Sequence, residues 1–440
     1  MGIQNFPSAL QPIIQQGFLD REFDTALRSR LGFRAVADRV EIAVGLGETL
    51  TKTRAGLKPA VTTPLSPGSN TNLDNGLTPT TWGVEQYTIV MNLYAATTDL
   101  NMVTSRVGLV SQFLQNAFTN GEQAARSLDE LARNALFAAY LGGSTRVRTT
   151  LGSAGPVIAV DDLRGFQTTF VNGVQQTISG PTPLAVTIGS NVYSAIATTP
   201  DVTNVSTSPG GISGTITLSS NVTVPDGSAG NSVVAANASS IIRPGNRGNT
   251  LQLTGADTLT MSALLDAVTK LRLNAVPEID GAYNCYLDPV SARQLFADPD
   301  FRQLFQGATS ANQVFRRGMV NDFLGLRFVP TNETYVQPHP TLAGQVVRRP
   351  IICGSGALVE GDFAGMAAAD VVPADSIVSV VNGVAMVTRE AIDRLQQIIA
   401  QSWYWIGGFC APSDTTTTPN TIPTATNASY KRAVVVEHIG

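Results

Sequence analysis

Charged side chains are scarce in this sequence. Asp, Glu, Lys and Arg together make up 14% of its 440 residues, whereas soluble globular proteins carry about 25%. Because a surface with few charges is poorly solvated, we expect much of it to be covered by other protein. The rarest charged residue is lysine, found only at Lys52, Lys58, Lys270 and Lys431. The arginine that replaces it suits protein interfaces, although the codon bias of a GC-rich genome explains the excess equally well.

The sequence also lacks a cluster of basic residues. Its formal net charge is −4, and no run of five or six basic residues occurs. Binding of DNA draws most of its affinity from the release of counterions by Lys and Arg. Sequence-specific DNA binding is therefore not expected.

Signals for secretion and for membrane attachment are missing as well. Cys285, Cys353 and Cys410 are odd in number and show no CxxC spacing, and the start MGIQNFPSALQPII has neither a basic region nor a continuous apolar one. No apolar run approaches the ~18 residues that span a bilayer, and Phe6 stands where a myristoylation signal requires Ser or Thr. We expect folding in a reducing cytoplasm and no membrane contact.

Residues that could carry catalysis are few. The histidines are His339 and His438, and we expect both in surface loops rather than in a triad or a zinc site. The Asp161–Asp162 pair is expected to be solvated rather than to hold a cation, and Cys285 to be a buried strand residue. No phosphate-binding loop, nucleophile elbow or HExxH motif occurs. We therefore predict no catalytic, cofactor-binding or metal site and no enzymatic activity.

Two unlike segments precede the first strand that the sequence indicates. Apolar residues recur every three or four positions over residues 8–31, which predicts an amphipathic helix, interpreted as an arm laid on a neighbouring surface or as an ordinary solvated helix. Residues 52–83 are rich in Pro, Gly, Asn and Thr, which indicates a long extended loop. The alternation around Tyr87, Ile89, Met91 and Leu93 then predicts a strand.

The longest helical pattern covers residues 103–141. Gly142 and Gly143 follow it as suitable left-handed caps. Asn120 and Gly121 are candidates for a kink, and Ser127 with Glu130 could form a capping box that begins a second helix. The sequence alone does not decide whether residues 103–141 form one continuous helix or two consecutive helices.

Residues 144–257 differ in composition from the rest of the chain. They contain no Lys and no Glu, and runs such as GTITLSSNVTV alternate between apolar and polar residues. Turn signals such as PDG and SPGG separate these runs. A small all-β unit inserted into the parent fold is predicted.

Helices and strands are both indicated after Leu259. A helix is expected with Ser262 as its N-cap, and the Asp288–Pro289 and Asp298–Pro299 steps each predict a helix start. The runs LRFVP, RRPIICG and IVSVV predict strands. Residues 388–406 fit neither the helical nor the strand periodicity, so both a helix and a strand remain possible there. Residues 411–429 predict a loop before a last strand, YKRAVVVEHI.

Several phrases of the sequence resemble the major capsid proteins of tailed bacteriophages, the Hong Kong ninety-seven type. They are RAGLKP through WGVEQYTIVMNLY (54–94), SLDELARNALFAAYLGG (127–143), the stretch from LLDAVTKLRLNAV to FRQLFQG (264–307), and GMVNDFLGLRFVPTNE (318–333). In that family they match the extended E-loop, the end of the spine helix, and the axial domain.

The resemblance implies an α+β capsid fold with an inserted all-β domain. Its expected divisions are an N-terminal arm (1–50), the E-loop and return strand (51–98), the spine helix of the P-domain (99–143), the inserted β domain (144–258), the A-domain with strands returning to the P-domain (259–410), and a loop with the C-terminal strand (411–440). Some relatives crosslink a loop lysine to another subunit, but we do not expect this of Lys52 or Lys58.

The resemblance also implies the partners. Copies would form the hexamers and pentamers of an icosahedral head that encloses double-stranded DNA, assembled in the host cytoplasm with separate scaffolding, portal and decoration proteins. The predicted arm begins almost at Met1, so a fused scaffold is not expected. The alternative interpretation is a β-rich bacterial surface or array-forming protein, disfavoured by the missing secretion signal.

Overall fold

A computed structural model describes residues 32–42, 48–55, 64, 84–101, 112–171, 174–301, 322–323, 325–363, 378–389, 398–412 and 432–440. The predicted helix at 8–31, most of the loop at 52–83, Lys58 and most of the loop at 411–429 lie outside these residues. The chain divides into two compact units. The first comprises Met1–Leu50, Thr88–Arg133 and Leu358–Cys410, and the second comprises Thr51–Tyr87, Asn134–Ala357 and Ala411–Gly440.

The first unit contains a six-stranded sheet. Its strands are β1 (Ala37–Ile42), β4 (Asn92–Asn101), β20 (Leu358–Phe363), β21 (Val378–Val381), β22 (Val384–Arg389) and β23 (Ile398–Cys410). The order is β1-β20-β23-β22-β21, and β4 pairs with β23 in antiparallel register from Asn92–Gly407 to Asn101–Ile398. β1 runs parallel to β20.

Helix α1 (Gln112–Leu141) supplies the other half of the first unit's core. Ala117, Ala124, Ala125 and Leu128 recur at helical spacing and are buried in a cluster with Met386 and the two tryptophans Trp403 and Trp405. Asn120 does not interrupt the helix. Its amide accepts a hydrogen bond from Thr98 and donates one to the carbonyl of Gln401, so β4, β23 and α1 are tied together.

The second unit contains an antiparallel sheet within residues 144–235. Its strands are β5 (Ser144–Arg146), β6 (Gly155–Val160), β9 (Leu184–Ile188), β10 (Asn191–Pro200), β11 (Gly214–Val222) and β12 (Ser232–Ala235), in the order β5-β12-β9-β10-β11-β6. Alternate residues, such as Leu184, Val186 and Ile188, enter one apolar core. β7 (Thr168–Val171) and β8 (Val174–Thr177) form a separate hairpin.

A mixed sheet lies elsewhere in the second unit. It consists of β13 (Ile241–Ile242), β14 (Tyr283–Leu287), β15 (Asp322–Phe323), β16 (Leu326–Pro330), β19 (Ile351–Cys353) and β24 (Ala433–Val436), in the order β13-β24-β19-β14-β16-β15. Helices α2 (Met261–Leu273) and α3 (Pro289–Ala297) share its apolar core. A further sheet has the order β17 (Val336–Pro338), β18 (Val346–Arg348), β25 (His438–Ile439), and β2 (Thr49–Ala55) pairs with β3 (Val84–Val90).

Several local expectations are decided by this structure. α1 is one continuous helix, and Ser127 donates to the carbonyl of Gln123 instead of starting a second helix. α2 is capped by Thr260 rather than by Ser262, because Thr260 accepts the N–H of Ala263. Asp288 caps α3 as predicted. Residues 398–406 are strand, and the predicted last strand is present as β24 and β25.

Candidate functional site

A serine, a histidine and an aspartate meet in the second unit. Asp288 caps α3 by accepting the N–H groups of Val290 and Ser291. The hydroxyl of Ser291 contacts the Asp288 carboxylate, and the same oxygen lies 2.7 Å from Nε2 of His438 in β25. Arg348 of β18 donates to Asp288 at 2.6 Å. The cluster therefore joins β18, β25 and the first turn of α3.

The geometry differs from that of a hydrolytic triad, where the carboxylate orients the histidine and the serine is open to substrate. Here Asp288 contacts Ser291, while Nδ1 of His438 lies 3.1 Å from the carbonyl oxygen of Ile439. The residues Asp288, Ser291 and His438 are at most 2% exposed. The arrangement fastens the C-terminal strand and offers no nucleophile to solvent.

Both histidines are buried, so the expectation that they lie in surface loops is wrong. His339 is 6% exposed, with Nε2 at 3.1 Å from the carbonyl oxygen of Thr250 and Nδ1 accepting the N–H of Leu342. Burial of His438 lowers its pKa to about 4. Both side chains remain inside because backbone and hydroxyl partners satisfy their ring nitrogens.

The Asp161–Asp162 pair is also buried, which corrects the expectation that it is solvated. Asp161 accepts from the N–H and the hydroxyl of Thr207, at 3.1 and 2.7 Å. Asp162 accepts from the guanidinium of Arg164 and from the N–H of Ile212. The two carboxylates hold the connection between β10 and β11 against the strand that precedes them.

Glu437 is the centre of a buried ionic network. Arg349 and Arg243 donate to its two carboxylate oxygens at 2.7 and 2.6 Å, and the hydroxyl of Thr250 bonds to it as well. Burial alone would raise the pKa of Glu437, but the two guanidinium groups outweigh burial and lower it to about 2. Arg349 also donates to Gln337. The network ties the C-terminal residues to β17, β18 and the loop after β13.

A small cavity lies beside this network. Its volume is about 40 Å³, and its lining includes Arg146, Asp161, Arg243, Arg349 and Glu437. A water needs about 10 to 15 Å³, so the cavity has room for about three or four waters. It is far smaller than the roughly 300 to 1,000 Å³ of a ligand pocket.

An open groove of about 980 Å³ runs between the loop at 239–248 and α2. Among its charged residues, Arg247 and Asp257 pair with each other at 3.0 Å, and Arg243 is engaged by Glu437. Lys270 and Asp266 of α2 contribute one charge of each sign. The groove has the size of a binding site, but its charged side chains do not point together at one place where a ligand could bind.

The first unit has a buried ion pair of its own. Arg34 donates from two nitrogens to Glu360 of β20, and both side chains are at most 1% exposed. Asp129 of α1 accepts the backbone N–H groups of Gly32 and Arg34. The short 3-10 turn before β1 is thereby fixed to α1 and β20.

Two of the cysteines, Cys285 and Cys353, are unreactive by position. Cys285 and Cys353 are 0% exposed on the neighbouring strands β14 and β19, and the prediction of a buried strand residue at 285 is confirmed. Burial raises the pKa of Cys285 to about 12 and that of Cys353 further. Because the thiolate is the reactive form, both are poor nucleophiles.

Across the described ranges, no three His, Cys, Asp or Glu side chains are grouped as metal ligands. Among the described helices, none is both long and apolar enough to cross a membrane.

Sequence reasoning missed the buried ions Glu437, Arg349, Arg34 and Glu360. A signal for two of them exists: Glu437 interrupts the apolar run AVVVEHI, and Glu360 interrupts ALVEGDF. A carboxylate within a buried strand must have a cationic partner. The identity of that partner depends on chain segments distant in sequence, which periodicity does not reveal.

Comparisons with known proteins give structural matches. No protein-family model and no curated protein sequence matches the chain. The capsid of Ralstonia phage GP4 matches with a TM-score of 0.51 at 11% identity, over 94% of this chain and 90% of that chain. The chain has the fold of a phage capsid protein. The capsid of cyanophage P-SCSP1u matches at a TM-score of 0.49 and 12% identity, over 92% of this chain and 87% of that chain.

The capsid fold gives the buried polar clusters a common description. Each joins segments far apart in the chain: Arg34 to Glu360, Ser291 to His438, and Arg243 to Glu437. These clusters are buried polar contacts that hold distant segments of the same chain together.

Proposed function

We propose that this chain is the major capsid protein of a tailed bacteriophage and has no enzymatic activity. The observation that carries the proposal is the match to the GP4 capsid chain over nearly the full length of both chains. A fold by itself does not determine function. The scarcity of charge and the exposed apolar side chains, such as Val192 at 70% and Leu93 at 66%, support a surface that other copies cover.

In this proposal the shell is built from hexamers and pentamers that enclose double-stranded DNA without sequence-specific contacts. Residues 1–50 act as the arm, 51–98 as the E-loop and its return strand, 99–143 as the spine helix, and 259–410 as the A-domain and its returning strands. Residues 411–440 close the fold, and 144–258 form an inserted domain. Assembly takes place in the host cytoplasm with a separate scaffolding protein.

Electron microscopy of the purified chain, with and without its candidate scaffolding protein, tests the proposal. Closed icosahedral shells or hexameric rings are the expected result. Flat lattices would favour the surface-array alternative, and a monomer at every concentration would contradict assembly. Elemental analysis of the same sample addresses the enzyme alternative, since a stoichiometric metal would argue against a purely structural role.

A further inference from the structure

One surface segment of the second unit has no charge at all. Between Arg164 and Asp201 the sequence contains no Asp, Glu, Lys, Arg or His. At the usual frequency of one charged residue in four, a stretch of this length would carry about nine. The segment includes the hairpin of β7 and β8, whose strands read TTFV and VQQT. Its outer surface is therefore polar but neutral.

The β7–β8 hairpin is poorly supported by its own unit. All four residues of β8 are exposed, and those of β7 are half-buried. Val171 lies opposite Val174, and Phe170 lies opposite Gln175, so each face of the hairpin carries apolar surface. A two-stranded hairpin alone is only marginally stable in water. Additional pairing or packing is needed to hold it firmly.

β8 also presents an unprotected edge. Within the described residues β7 and β8 pair only with each other. At the start of β7, the carbonyl oxygen of Thr168 accepts a hydrogen bond from the side-chain amide of Asn237. β8 is short, at four residues, which limits the edge that it exposes, but it has no Lys, Pro or inward-pointing charge, the other means by which natural proteins protect such edges. Such an edge can accept another strand.

We propose that β8 pairs with β8 of a second copy across a two-fold axis. Neutrality of the edge disfavours phosphates, nucleic acids and charged proteins as partners, whereas a second uncharged edge fits it. Antiparallel pairing of a strand with itself is an isologous contact. Both copies use the same edge, so the two-fold axis must pass through one residue and its own copy. With the axis at Gln176, Gln176 of one copy faces Gln176 of the other, and Gln175 faces Thr177. The inference rests on the proposed function, which brings many copies together.

Charge substitution at Gln176 tests the contact in the full chain. Q176K and Q176E each place like charges close to one another at the axis, so association at this contact should weaken about twofold to fivefold. A 1:1 mixture of the two variants places opposite charges there and should recover stability. The control is N221K, because Asn221 is exposed at the end of β11, outside the uncharged segment. The measurement is resistance of assembled particles to guanidinium, followed by light scattering.

Cysteine crosslinking provides a second, independent measurement. Directly opposed residues of antiparallel strands have Cα atoms about 4.5 to 5.5 Å apart, within the range of a disulfide. In a C410S background, Q176C chains should form linked dimers on oxidation more fully than Q175C chains, because only residue 176 faces its own copy directly. Equal crosslinking of the Q175C and Q176C chains would exclude the register with Gln176 at the axis.

The outcomes separate the two proposals. If wild-type particles form and Q176K, Q176E and N221K particles are equally stable, the β8 contact is wrong and the capsid function stands. If Q176K and Q176E are both weaker but their mixture does not recover, β8 meets a different surface and self-pairing is overturned. If no variant assembles, wild type included, the proposed function itself fails.

Discussion

Buried charges in this protein each have more than one partner. Glu437 accepts from Arg243, Arg349 and Thr250, and Asp288 accepts from Arg348 and from the first turn of α3. Taking an ion out of water costs several kcal/mol, and only close pairing with further hydrogen bonds offsets this cost. Misplacing any of the joined segments would leave an unpaired charge inside. The clusters therefore disfavour alternative packings of the C-terminal strands.

His438 gives the second unit a dependence on pH. Its pKa is about 4 in the folded protein against an ordinary value of 6.5, so the unfolded chain binds more protons between these two values. Stability is then fully present above pH 6.5 and is lost as the pH falls through 4. The expected loss from this residue is about 3 kcal/mol. Protonation would place a positive charge directly opposite Arg348 in β18, and Asp288 is the nearby acid that partly offsets it.

Substitution of His438 by Gln isolates this contribution. The H438Q variant lacks the titrating group, so its free energy of unfolding should fall less steeply between pH 7 and pH 4 than that of wild type. Urea denaturation at both pH values, followed by circular dichroism, measures the difference. Any destabilisation by Gln that does not depend on pH lowers the free energy of unfolding equally at both pH values, so it cancels in the difference between them. Identical slopes for the two proteins would show that His438 does not titrate in this range.

At the scale of elements, local patterns predicted several strands and helices but not their partners. The Asp288–Pro289 start of α3 and the final strand follow from residues close in sequence, and both are present. The continuity of α1 could not be read locally, because Asn120 is a poor interior helix residue unless its amide is satisfied. It is satisfied by Thr98 and by Gln401, which is far away in the chain.

The buried polar clusters were hidden from the sequence for the same reason. His438, Asp161 and Asp162 are residue types that usually face water, so burial was unexpected for each. Their partners Ser291, Thr207 and Ile212 lie far away along the chain, and no periodicity links them. Only the folded topology brings the donors and acceptors together.

The end of α1 depends on a glycine with a left-handed backbone. Gly143 has φ of +80°, and an added Cβ would lie 3.0 Å from Cβ of Ala238. G143A should therefore lower the free energy of unfolding by about 1 to 2 kcal/mol. The matched control is G152A, since Gly152 has open space around it and no positive φ; it should stay within about 0.5 kcal/mol of wild type. Equal urea midpoints for the two variants would contradict a capping role for Gly143.

At the scale of the whole chain, the last residues complete a sheet begun far earlier. β24 lies between β13 and β19, and its four residues are at most 1% exposed. Residues 432–440 also supply Glu437 and His438 to the buried clusters. The mixed sheet therefore lacks an interior strand until residues 433–436 have been synthesised.

Removal of residues 432–440 should prevent the mixed sheet from forming. Full burial of a valine contributes about 1.5 to 3 kcal/mol, so loss of Val434, Val435 and Val436 removes an amount comparable to the ~5 to 15 kcal/mol that stabilises a typical domain. Cys285 and Cys353 report the result, because they lie on β14 and β19 of the same sheet. In a C410S background, both thiols should react with a labelling reagent in the chain that ends at residue 431. They should stay protected when only Gly440 is deleted, and a peptide of residues 432–440 added in trans should restore protection. Protected thiols in the truncated chain would mean that β14 and β19 are held without β24.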